Sequence, residues 1–135
     1  MSWQASLVKL ANHDVETLRK RLTEVLDRRA AIEARLVALA AEVQAEMAHA
    51  DRDAAVGLYR AGFLKGAAVR RDRIQTEIDA VALEEAGARD ALGQAFESLK
   101  KFEHVAETAR LAGLKKAARI EAAAMDEMGL RKRAR

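Results

Sequence analysis

From Ile74 to Ala106 apolar residues recur at alternating steps of four and three: Ile74, Ile78, Val81, Ala88, Leu92, Ala95, Leu99, Phe102 and Ala106, broken once by Glu85. A repeat averaging about 3.5 residues keeps one stripe of a slightly underwound helix against a partner helix. Few folds meet that demand, because the stripe needs a second helix of the same period. Val8, Ala11, Val15, Leu18, Leu22, Val25, Ile32, Leu36, Leu39 and Val43 supply it, broken once by Arg29. The chain is therefore expected to be all-α, with two long helices in an antiparallel coiled-coil hairpin and one domain over residues 1–135. With no proline, 4% aromatic and 33% charged residues, the composition suits long helices and predicts no strands.

Between the seams lie Gly57, Gly62 and Gly66, and glycine accepts backbone angles of a reversal that other residues resist. This predicts helix 1 over 3–56, a turn at about 57–62, helix 2 over 63–129 and a basic tail over 130–135. One constant register then pairs Val15 with Phe102, Leu18 with Leu99, Leu22 with Ala95, Val25 with Leu92, Leu36 with Val81, Leu39 with Ile78 and Val43 with Ile74. It sets Arg29 opposite Ala88 and Glu85 opposite Ile32, in neighbouring layers from which the two charges can meet. A charged pair in an apolar seam costs stability but fixes alignment, since a one-heptad slip strands both charges. Arg29 and Glu85 are the expected register pair.

In that register Met1 lies opposite Gly113, so the second helix overhangs from Leu114 by roughly 30 Å. The overhang keeps a stripe of Ala117, Ile120, Ala124 and Met128, with Met125 beside it, and has no partner within the chain. Such a helix with basic flanks is either a docking element or a frayed end, and the stripe favours docking. The charge is polarised as well. Arg60, Lys65, Arg70, Arg71 and Arg73 face only Asp72 in one segment, a second basic segment runs from Leu111 to Arg135, and the remainder is net acidic.

Nothing in the sequence assembles a reaction centre. There is no cysteine, His13, His49 and His104 are scattered, and no Walker-type phosphate loop occurs. The adjacent carboxylates Asp51 and Asp53, and Glu84 and Glu85, fall near a turn and on a helix surface. Gly62 and Gly66 have membrane-helix spacing, but Arg60 and Lys65 interrupt the segment. The chain is expected to be a non-enzymatic, cofactor-free cytoplasmic protein with no membrane insertion. The tail from Arg131 to Arg135 could hold phosphate without reading specific nucleic acid, because no stacking aromatics or DNA-reading module accompany it. Two other readings stand beside a protein connector: a basic coiled coil that binds nucleic acid or an anionic membrane surface, and a homodimeric coiled coil whose helix continues through Tyr59.

The C-terminal third carries a resemblance. Lys100, Lys101, Phe102 and Glu103, then Arg119, Ile120 and Glu121, then Met125, Asp126 and Glu127 before a basic finish, resemble the C-terminal signature of the flagellar export protein FliJ family. Tyr59 with Phe63 and Leu64, and the run from Val43 to Met47, extend the likeness towards the reversal. The resemblance implies a cytoplasmic coiled-coil hairpin, peripheral to the inner membrane at the flagellar base. It implies three partners: the hexameric flagellar export ATPase, the cytoplasmic domain of the export gate, and export chaperones. Lys101, Glu103, Arg119, Glu121, Asp126 and Glu127 would then meet the ATPase, and Val43, Met47, Tyr59, Phe63 and Leu64 the gate.

Overall fold

The computed structural model describes residues 2–49 and 54–134, and contains two helices, α1 (Trp3–Met47) and α2 (Ala54–Arg133), that pack against each other. No strand occurs among the described residues. Ser2 caps α1, its Oγ accepting from the Ala5 amide at 3.2 Å, which satisfies one of the amides left open at a helix start. Arg131, Lys132 and Arg133 occupy the last turn of α2, where positive charge complements the helix dipole. Both seams read from the sequence face inward, for each of their apolar positions is buried or half-buried, and so are Arg29 and Glu85.

Two units make up the chain. In the first, Thr17–Leu92, the helices form a hairpin around Val25, Leu39, Ala67, Ile74, Val81 and Ala88, all buried. Leu39, Ala67 and Ile74 form a cluster against which Ile32, Leu36, Val43 and Ile78 pack. The second unit joins Met1–Glu16 to Gly93–Arg135. Ala11, Val15 and Leu99 are buried there, while Val8, Ala95, Phe102 and Ala106 are half-buried. Burial stops at Ala109, and every residue over 110–134 is exposed.

The break between the helices is not where the glycines put it. Residues 57–62 are helical, α1 ends nine residues before position 56, and the helices are separated by residues 48–53. None of the described glycines has a positive φ. An isolated glycine in a helix costs only about 1 kcal/mol relative to alanine, and the surrounding Ala55, Leu58, Arg60 and Ala61 favour helix. The sequence before α2 instead carries Asp51 and Asp53, a residue type that starts helices, although both lie outside the described residues, as does Met1. The Arg60 guanidinium then ties α2 back to the end of α1, donating to the His49 carbonyl at 2.6 Å. At its other end α2 continues through Arg133 rather than stopping at 129.

The register differs too. Arg29 lies with Glu85, three residues before Ala88. Arg35 bonds Glu77 and Glu42 accepts from Arg70, whereas the expected alignment had them level with Ala82 and Gln75. Against that alignment the offset is three residues at Arg29 and five at Arg28, Arg35 and Glu42. Interhelical ion pairs among the described residues mark the alignment: Arg28 with Glu84, Arg29 with Glu85, Arg35 with Glu77, and Glu42 with Arg70.

Candidate functional site

The chemistry that the two helices display lies on their surfaces and along the seam between them. Among the described residues no group of histidines and carboxylates could hold a metal ion, and no helix is long and apolar enough to cross a membrane. Three places concentrate unusual chemistry.

The first is the reversal end of the Thr17–Leu92 unit. Val43 and Leu64 face a common open groove of about 410 Å³, lined also by Leu36, Leu39, Ala67 and Arg71. Phe63 is half-buried beside it in sequence, while Met47 and Tyr59 are 48% and 64% exposed. Only Val43 and Leu64 of the five residues named from sequence therefore share the groove. Leu36 and Leu39 belong to the seam, and the seam pattern does not include Ala67, although its position one heptad before Ile74 signals it. The basic run is less open than its composition implies. Arg70 is held by Glu42 at 3.1 Å and Arg60 by the His49 carbonyl.

The second is the charged layer. Arg29 Nη1 donates to Glu85 Oε2 at 2.8 Å, and Arg29 Nε to Glu33 Oε1 at 3.0 Å. Arg89 approaches the other Glu85 oxygen at 3.6 Å. The Glu85 side chain is 15% exposed and that of Arg29 37%, so the layer sits half out of water. The hydrogen bond to Glu33, then the charge of Glu85, push the Arg29 guanidinium further above its ordinary value, and it stays charged.

The third is the C-terminal reach of α2. Lys101, Glu103, Arg119, Glu121, Asp126 and Glu127 are all exposed. From Lys101 to Glu127 they spread over roughly 40 Å of helix at 1.5 Å per residue, so the structure does not gather them into one pocket. Glu127 accepts from Arg131 at 3.3 Å. Around the last four of them Leu111, Leu114, Ile120, Met125, Met128 and Leu130 lie between 48% and 68% exposed. Leu111, Leu114 and Leu130 widen the stripe read from sequence. These large apolar side chains stand in a stretch of helix where every residue over 110–134 is exposed.

No protein-family model matches the chain, and no solved structure matches it. Two curated relatives do, each named Flagellar FliJ protein, from two strains of Caulobacter vibrioides. Each is 48% identical over 132 residues, covering 98% of this chain and 95% of the relative. Identity at that level over nearly the whole length of both proteins leaves one assignment: the chain belongs to the flagellar FliJ protein family.

Proposed function

We propose that this protein is a non-enzymatic connector of the flagellar type III protein export apparatus. In this reading the C-terminal reach of α2, with Lys101, Glu103, Arg119, Glu121, Asp126 and Glu127, binds the hexameric export ATPase. The groove end, with Val43, Met47, Tyr59, Phe63 and Leu64, binds the cytoplasmic domain of the export gate. The protein also escorts export chaperones, and works in the cytoplasm beside the inner membrane at the flagellar base. The observation that carries the reading is the helical, wholly exposed stretch over 110–134 in a member of this family. A helix in that state has surface for a partner and nothing of its own to cover it.

The test is co-purification with the export ATPase and stimulation of its turnover, comparing the full chain with one lacking residues 114–135. Loss of both with the deletion supports the assignment. Undiminished ATPase binding and stimulation without that segment rejects it.

A further inference from the structure

The open groove of the Thr17–Leu92 unit has its cause in the seam. Leu64, Arg71, Ile78 and Glu85 recur at heptad spacing on α2, and of these Arg71 alone is exposed. A guanidinium does not leave water without a partner, so the side chain that would fill the seam at this level stays outside it. Ala40, Ala67 and Ala68 stand around the same space, and their methyl groups are too short to close it. The result is the groove of about 410 Å³ that Val43 and Leu64 also line.

The charge of this groove is one-sided. No carboxylate lines it, and among the described residues the Arg71 side chain has neither a hydrogen bond nor an ion pair. Arg70, one residue earlier, differs, for Glu42 holds it at 3.1 Å. The backbone offers a ligand nothing, because α1 and α2 are continuous helices here and bond their own amides and carbonyls. An extended peptide would therefore bury unpaired backbone, whereas a helix brings its own bonds. From Leu36 to Gln44 the lining runs roughly 12 Å along α1, enough for the i, i+4 and i+7 side chains of one docking helix.

We infer that this groove takes an acidic amphipathic helix. Apolar side chains of its successive turns enter beside Val43 and Leu64, and a carboxylate next to that stripe pairs with the Arg71 fork. Docking removes water from the edge of an apolar patch, so this pair is worth more than one left on an open surface. The groove is the one read above as meeting the export gate. The inference deepens that reading by naming the chemistry of the bound segment and the residue that selects it, and rests on it only for which protein brings the helix.

The test is a display library of helical peptides of about 20 residues, with leucine along one stripe and every other position random, selected on the full chain. Asp or Glu is expected to be enriched beside the stripe. The selected peptide should bind Arg71→Gln about tenfold more weakly, and Arg73→Gln, which loses the same charge outside the groove, within about twofold of the unaltered chain. Arg71→Glu should recover affinity for a peptide with lysine in place of that carboxylate, a gain that misfolding does not produce. No binder, no acidic preference, or equal losses in Arg71→Gln and Arg73→Gln overturns the inference. So does dimerisation of the free chain, read by sedimentation and abolished by Ala68→Glu, because the occupant is then a second copy. The cytoplasmic domain of the export gate is titrated against the same variants. If Ala68→Glu abolishes peptide binding and leaves the gate domain bound, the gate reading fails and the helix site stands. If the gate domain is lost with Ala68→Glu and indifferent to Arg71→Gln, the gate reading stands and the inference fails.

Discussion

At the scale of single residues, burial is concentrated in few side chains, and substitution should divide them sharply. Val25, 1% exposed, is the most enclosed large residue, so Val25→Ala is expected to cost about 1–3 kcal/mol in chemical unfolding. Leu58, also apolar but 78% exposed, should tolerate Leu58→Ala within about 0.5 kcal/mol. Charge offers a second check. The hydrogen bond from Arg110 holds the Glu107 carboxyl below its usual range. A group whose folded value is depressed stabilises above its unfolded value, and that contribution is lost as pH falls through the folded one. Both side chains are more than half exposed, so the effect on stability is small. It is visible by NMR instead: Arg110→Gln should move the Glu107 titration upward, back to the ordinary carboxylate range.

At the scale of elements, the glycines of α2 carry the clearest consequence of the difference between sequence and structure. If Gly62 belonged to a turn with left-handed backbone, alanine there would be strained. In the helix its φ is not positive, and a Cβ would meet nothing within 4 Å. Gly62→Ala is therefore expected to stabilise by about 0.5–1 kcal/mol, measured as a higher urea midpoint. The inward faces of both helices were legible residue by residue, because a heptad stripe states which side chains leave water. The helix ends were not. Glycine is a permissive residue and not an obligatory breaker, and whether the helix runs through it depends on what its neighbours gain by staying helical. The candidate surfaces divide the same way: Val43 and Leu64 share a groove, while the six C-terminal charged residues remain spread along one helix.

For the whole molecule, stability and reach are separable. Nothing over 110–134 is buried, so removing residues 114–135 should leave the thermal midpoint within about 2 °C of the full chain, as scanning calorimetry would record. The same deletion is expected to abolish ATPase coupling if the proposed function holds. A large fall in the midpoint would mean that the exposed segment supports the fold after all.

The sequence by itself determined the all-α class, the two inward stripes and the kinship with flagellar FliJ proteins. Each of these depends on a period or on residue identity, which the chain states outright. Only the tertiary structure decided where α1 ends and which residue of α2 lies level with Arg29. A stripe of period 3.5 says which face is buried, but the same repeat can meet its partner at more than one level. Ion pairs such as Arg29 with Glu85 and Glu42 with Arg70 mark it, between side chains 28 or more positions apart, contacts that exist only once the helices are side by side.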